Sequence, residues 1–265
     1  MTYLSNAPFA LQVSRGLVSG ITAVNKFGSA PSGIQTSATD IWSRADATPT
    51  QQIWVAPTTA RIHAIVSSSD LDGKTASPSS VGARTLKIWG LTSWTTAEVN
   101  ETVTLDGTTS VNTANSYVII HRMKVLTAGT TAINVGTITA TAATDTTITA
   151  VILPTDGQTQ MAIYGAPSTQ TFYLVSYGLS INDSVAQTRV KCTLEVNETP
   201  DSSPLNVRFT RKWELQIQNS GTSFANREFE PYIALPGPCI IKVQGTANTP
   251  DVDGSAAFNG YLVTN

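Results

Sequence analysis

Residues Arg189–Val196 alternate without a break. Val190, Cys192, Leu194 and Val196 are apolar, and Arg189, Lys191, Thr193 and Glu195 stand between them. Lys212–Gln218 repeats the pattern, with Trp213, Leu215 and Ile217 set against Lys212, Glu214, Gln216 and Gln218. Period two sends successive side chains to opposite faces of a strand, so each segment predicts a sheet with one buried and one wet face. On this pattern Trp213 belongs to the core. No stretch sustains the three- and four-residue spacing of an amphipathic helix. The chain therefore reads as layered antiparallel sheet.

Other segments extend the reading. Arg61–Val66, Thr85–Trp89, Val99–Leu105, Tyr117–Val125, Thr137–Thr141 and Thr146–Leu153 read as strands in the first half. Asp106-Gly107 is a tight-turn signal, because both residue types tolerate positive φ. The interval Thr127–Thr149 is rich in Thr, Ala and Gly and predicts a thin or edge part of the sheet. Thr171–Ile181, Cys239–Gln244 and Phe258–Val263 join the two alternating segments in the second half, separated by turn-rich stretches such as Asn197–Pro204 and Pro236–Pro238. Short strands at near-regular spacing predict an all-β fold of two β-sandwich domains, of jelly-roll or Ig-like topology. A turn-rich stretch around Met161–Tyr164 marks their junction. The expected division is 1–30, an extended N-terminal docking arm; 31–160, a first sandwich; and 161–265, a second.

The arm is set apart by its pattern. Ala7–Ile21 is apolar but broken by Pro8, Gly16 and Gly20, and neither period persists. Such a segment needs cover from elsewhere. It is either an N-terminal strand folded back on its own sheet or an exchanged arm that adds a strand to a neighbour's open edge. Phe9, Leu11, Val13, Val24 and Phe27 are its expected interface residues.

Composition narrows the function. Charged residues are 13% of the 265-residue chain, against ~25% in ordinary globular domains. Ser, Thr, Asn and Gln supply the polarity instead, which suits faces covered by neighbours, since burying a hydroxyl costs far less than burying an ion. A formal net charge of -2 gives no basic field for direct nucleic-acid binding. The N-terminus lacks the basic and apolar regions of a secretory signal, and no segment approaches the ~18 apolar residues of a membrane span. A soluble protein made in a cytoplasm is expected, with no membrane partner.

Reactive groups are sparse. His63 and His121 lie in apolar strands and read as hydrogen-bonded strand residues; no spacing of His, Cys and acids marks a transition-metal cluster. No G-x-S-x-G elbow and no phosphate-binding glycine loop occurs. An enzyme is not expected, and no cofactor is implied. Asp70-Leu-Asp72-Gly73 and Asp251-Val-Asp253-Gly254 echo one another; each is either an Asp-rich turn or a partial Ca²⁺ loop lacking the terminal bidentate acid. Cys192 and Cys239 read as small core residues, with a disulfide as the alternative. Trp89 and Trp94 bracket the Gly90–Ser93 turn; core packing is the first reading of the tryptophans, and an exposed aromatic ligand platform at this turn, with Trp94 the candidate, is the alternative.

Several segments carry a resemblance. Ala7–Gly16, Val24-Asn-Lys-Phe-Gly28 and Asp40-Ile-Trp42 resemble the opening of a family of tailed-bacteriophage virion proteins common among aquatic phages. The similarity continues through Gly82–Leu86, Val103–Thr109, Arg122–Val125 and Gly157–Tyr164, and closes with Asp253–Phe258 and Gly260–Val263. The resemblance implies a structural protein of the virion, assembled in the host cytoplasm, with no catalytic residues to carry over. Its expected partners are other copies of itself in a symmetric homo-oligomer and other phage capsid or tail proteins. A head decoration or capsid-vertex (cement) protein docked by its arm is the leading expectation. A tail or neck component, or a glycan-binding receptor module, is the alternative. On this reading, deleting residues 1–28 leaves a folded protein that no longer joins particles.

Overall fold

The computed structural model describes residues 8–44, 51–73, 81–183, 187–202, 208–218 and 222–265. Residues 1–7 of the expected arm and Ser203 and Pro204 of the expected turn segment lie outside them. One short helix, α1 (Phe9–Ser14), precedes strands β1 (Ile21–Ile34), β2 (Thr39–Asp40), β3 (His63–Ser67), β4 (Ala83–Leu91) and β5 (Val99–Thr104). There follow β6 (Val111–Asn112), β7 (Ile119–Ala128), β8 (Ile138–Ala142), β9 (Ile148–Ile152), β10 (Ile163–Ala166) and β11 (Gln170–Asn182). The last strands are β12 (Arg189–Asn197), β13 (Phe209–Gln218), β14 (Thr222–Pro236), β15 (Cys239–Ala247) and β16 (Val252–Thr264). The all-β expectation holds, and every strand pairing is antiparallel. No helix among the described residues is long and apolar enough to cross a membrane.

The strands form four sheets. The longest strands make one sheet in the order β1-β16-β11-β14, which packs on a second, β10-β15-β12-β13, with β2 alongside β10 on the same edge of β15. The other two are β6-β3-β8-β9 and β5-β4-β7, which meet where β7 passes β9 and β5 passes β6. Chain order and spatial order thus diverge: the segment 63–152 builds its own pair of sheets between β1–β2 and β10–β16.

The pairing of β1 decides the fate of the arm. Ile21 lies opposite Val263, and the ladder runs through Lys26–Phe258 to Ala30–Gly254. This segment is a strand laid on its own chain, and it belongs to the sheet of β11, β14 and β16. Val24, Ala30 and Ile34 enter the core. Gly28 passes so close to the strand junction that a Cβ there would stand 2.4 Å from both the Ala162 nitrogen and the Ile41 oxygen. Deleting 1–28 would therefore remove core residues along with the arm, and the expectation of a folded remainder is corrected. Only the part before β1 can be detached from the sheet.

Two further expectations change. Trp213 is 38% exposed, because β13 is the outer strand of its sheet. Trp213 keeps the register of Leu215 and Ile217, opposite Leu194, and packs edge-on to Phe229, but at the margin of the sheet that face is left partly open. β8 is flanked by β3 and β9 rather than lying at an edge, with Ile138, Ala140 and Ala142 fully buried. Its small residues allow close packing.

Buried polar groups pin the loops. The Asp40 carboxylate, fully buried, accepts from the Trp54 nitrogen at 2.9 Å, Lys242 Nζ at 2.9 Å and Gln244 Nε2 at 3.0 Å. Asp72 accepts from Ser67 Oγ and from the backbone nitrogens of Ala83, Val135 and Gly136, at 2.7–2.9 Å. Each carboxylate is a hub on which several loops converge. Burial without such partners would be strongly unfavourable.

Candidate functional site

Two surfaces collect what the sequence singled out. The first is the outer face of the long sheet. The odd-numbered residues of β1 point outward, and the ladders align them in rows: Asn25, Asn259, Ser176, Glu228; then Phe27, Ala257, Gly178, Asn226; then Ser29, Ser255, Ser180, Phe224. Glu228 is the single charge in these rows. The small residues form the floor of a shallow trough of about 680 Å³. Phe27 and Phe224 stand on it at 44% and 69% exposure. The polar side chains on the floor bond to one another, as Asn259 Nδ2 does to Ser176 Oγ at 2.9 Å. The result is a wide, neutral wall with two aromatic projections.

Helix α1 sits at one end of this wall, where Phe9 meets Tyr261 edge-on with ring centroids 5.5 Å apart. Of the five arm residues, Phe9, Leu11 and Phe27 are exposed, while Val13 and Val24 are buried in this chain. The structure does not bring the five into one patch: Phe9 and Leu11 belong to the helix, and Phe27 lies on the sheet.

The second surface is a cavity of about 360 Å³ at the seam where three sheets meet. β1 supplies Lys26, β4 supplies Trp89, β7 supplies His121 and Arg122, β10 supplies Tyr164, β11 supplies Gln170, and Glu98 comes from the turn before β5. Lys26 Nζ donates to the His121 carbonyl. His121 Nε2 lies 2.5 Å from Glu98 Oε2, and its ring rests 4.6 Å from that of Tyr164. Arg122 and Lys87 hold their cationic ends 4.9 and 5.0 Å from the centre of the Trp89 ring, within cation–π range.

Burial shapes the chemistry here. Loss of water pushes the Lys26 ammonium down to about 7, assisted by the neighbouring Arg122 charge. Burial also lowers His121, against the pull of Glu98. Burial raises Glu98, but the hydrogen bond and charge of His121, with Lys26 and Arg122, outweigh it and hold the carboxyl below its usual range. An imidazole, a carboxylate, the Lys26 amine and the Arg122 guanidinium thus face one space. Sequence reasoning did not assemble this group, because its members are spread from position 26 to position 170.

The remaining candidates lie elsewhere. Trp94 is half-buried, packed against the core beside Gly165, and does not line the seam cavity; the aromatic wall there is Trp89. Asp70 accepts from Thr108 Oγ1 at 2.5 Å, Asp251 accepts from Gln35 Nε2 at 2.9 Å, and Asp253 accepts from the Ser32 nitrogen and hydroxyl. With Asp72 surrounded by N–H and O–H donors, these acids act as turn anchors. No group of three or more His, Cys, Asp or Glu among the described residues is placed to hold a metal ion. Cys192 and Cys239 are both buried free thiols, pushed up to about 12 by burial.

Comparison with known proteins adds little. No family model matches the chain, and no curated protein matches it. The chain is similar to the structure of infectious bursal disease virus Gt strain at 10% identity, over 97% of this chain and 78% of that one, with a TM-score of 0.21. The infectious bursal disease virus VP2 subviral particle gives 8% identity, the same coverages and a TM-score of 0.22. Likenesses at this level carry no argument about fold or function.

Proposed function

We propose that this chain is a non-enzymatic structural protein of a tailed-phage virion, a head decoration or capsid-vertex protein that packs against copies of itself and against other particle proteins. The observation that carries the reading is the outer wall of β1, β16, β11 and β14: four long strands whose three central rows hold one charge, Glu228, and two projecting phenylalanines. A face of that kind stacks on a neighbour with little desolvation cost, and its aromatic residues act as anchors. At ~4.8 Å between strands and ~3.3 Å per residue, a sheet of this size offers an area near the ~800 Å² per partner of a stable interface. The all-β architecture and the virion-protein resemblance support the same reading. Phe9 and Leu11 of α1 extend the contact beyond the sheet.

Sedimentation velocity over a concentration series, together with incorporation into particles, tests it. Wild-type protein should self-associate or join particles, and Phe27→Asp with Phe224→Asp should do neither while keeping its circular dichroism spectrum. Unaltered incorporation of the double variant would refute the assignment of this face.

A further inference from the structure

A second group of buried reactive side chains, Asp40, Lys242 and Glu195, lines neither the outer wall nor the seam cavity. The ladders bring it together. Glu195 of β12 lies directly opposite Lys242 of β15, and on the other edge of β15 Asp40 of β2 lies opposite Gln244. Opposite residues of antiparallel strands share a face, as do positions i and i+2 of one strand, so all four side chains stand on one side of the sheet. Lys242 and Asp40 are 3% and 0% exposed. Lys242 Nζ is 2.9 Å from Asp40 Oδ1 and 3.0 Å from Oδ2, which sets it roughly 3 Å from the carboxyl carbon between them, the spacing of a near-attack pair. Glu195 Oε2 lies 3.8 Å from the same nitrogen, and the centre of the Phe209 ring 4.2 Å from it. The Trp54 nitrogen and Gln244 Nε2 donate to different oxygens of Asp40.

An amine held against a carboxyl carbon, with a second carboxylate beside it and a donor on each oxygen, has the parts needed for condensation. We propose that Lys242 Nζ and Asp40 Cγ join in an intramolecular isopeptide bond. Glu195 takes one proton from the ammonium, and the freed lone pair adds to Cγ. The Trp54 N–H and the Gln244 amide steady the negative charge on the oxygens, as oxyanion donors do. A second nitrogen proton and the one held by Glu195 then pass to one Asp40 oxygen, the carbon–oxygen bond breaks, and that oxygen leaves as water. One nitrogen–carbon bond replaces one carbon–oxygen bond, nothing is oxidised or reduced, and Glu195 ends as the carboxylate it began. Burial favours the product, because a neutral amide is far less costly to hold away from water than two ions. The bond ties β2 to β15 across 202 positions of sequence, so the loops between them cannot separate without covalent cleavage.

Intact-mass measurement of the full chain under denaturing conditions, followed by peptide mapping, tests the bond. Wild-type protein should be lighter than its sequence by one water and should yield a branched peptide joining the Asp40 and Lys242 segments. Lys242→Arg keeps the positive charge beside Asp40 but removes the amine, and Glu195→Gln keeps the shape of the proton carrier but not its basicity. Both variants should regain the missing water and release the two segments as separate peptides, with circular dichroism spectra like that of the wild type. Asp72, Asp106, Asp156 and Asp253 each precede glycine, and ring closure at such a pair also expels water, but that loss would persist in Lys242→Arg. Wild-type protein of full mass with separate Asp40 and Lys242 peptides overturns the proposal, as does a water loss that survives in Lys242→Arg. An undiminished cross-link in Glu195→Gln overturns the role given to Glu195.

Discussion

The outer wall of the long sheet and the seam cavity share strand β1, and they are made of opposite chemistry. Outward from β1 go Asn25, Phe27 and Ser29, onto a face with almost no charge. Inward go Val24, Lys26 and Gly28, where Lys26 joins Glu98, His121 and Arg122. A neutral face loses little when a neighbour covers it, whereas a half-buried cation is costly unless partnered. Period two lets one strand serve both needs, and it explains why the segment that looked like a detachable arm is integral to the fold.

The contrast can be broken most severely at Gly28. Gly28→Val places atoms where backbone already stands, and overpacking against backbone should cost at least about 3 kcal/mol; chemical denaturation should show it, with both surfaces lost together. Lys242→Met comes next. It leaves the buried Asp40 carboxylate without its counter-charge, a loss of about 3–5 kcal/mol, read as a fall in the denaturation midpoint. The wall should respond differently. Phe224→Asp, at a side chain 69% exposed, should leave the midpoint nearly unchanged yet weaken self-association by about 2 kcal/mol, as loss of an interface anchor does.

A further effect concerns pH. His63, buried beside Tyr117, is pushed down to about 4 by burial, against the hydrogen bond to the Arg61 carbonyl. Its folded pKa lies below the ordinary 6.5, so the unfolded chain binds the proton more readily. Stability from this residue is therefore full above pH 6.5 and lost as pH falls toward 4. Thermal melts across that window should show the decline, and His63→Gln should reduce its slope; an unchanged slope would contradict the assignment.

Much of the fold was legible in the residues. Val190, Cys192, Leu194 and Val196 are buried as their alternation requires, and Gly107 adopts the positive φ that Asp106-Gly107 foretold. β14 escaped notice because Pro231 and Pro236 interrupt it and, as an outer strand, it keeps most of its side chains exposed. Trp213 misled because periodicity gives the face a side chain takes and not whether its strand lies at the margin of the sheet, where that face stays partly open. The pairing of β1 with β16 joins residues more than 200 positions apart and has no local signal beyond the apolar character of Val24. The seam cavity was the least legible: Lys26, Trp89, Glu98, His121, Tyr164 and Gln170 share no motif, and only the packing of three sheets brings them together.

Hydroxyl-radical footprinting of Phe27 and Phe224, in isolated protein and in purified particles that contain it, tests the central claim most directly. Both rings should react readily in the isolated chain and be strongly protected in particles. Equal reactivity in the two states would show that the wall faces solvent and that assembly uses another surface.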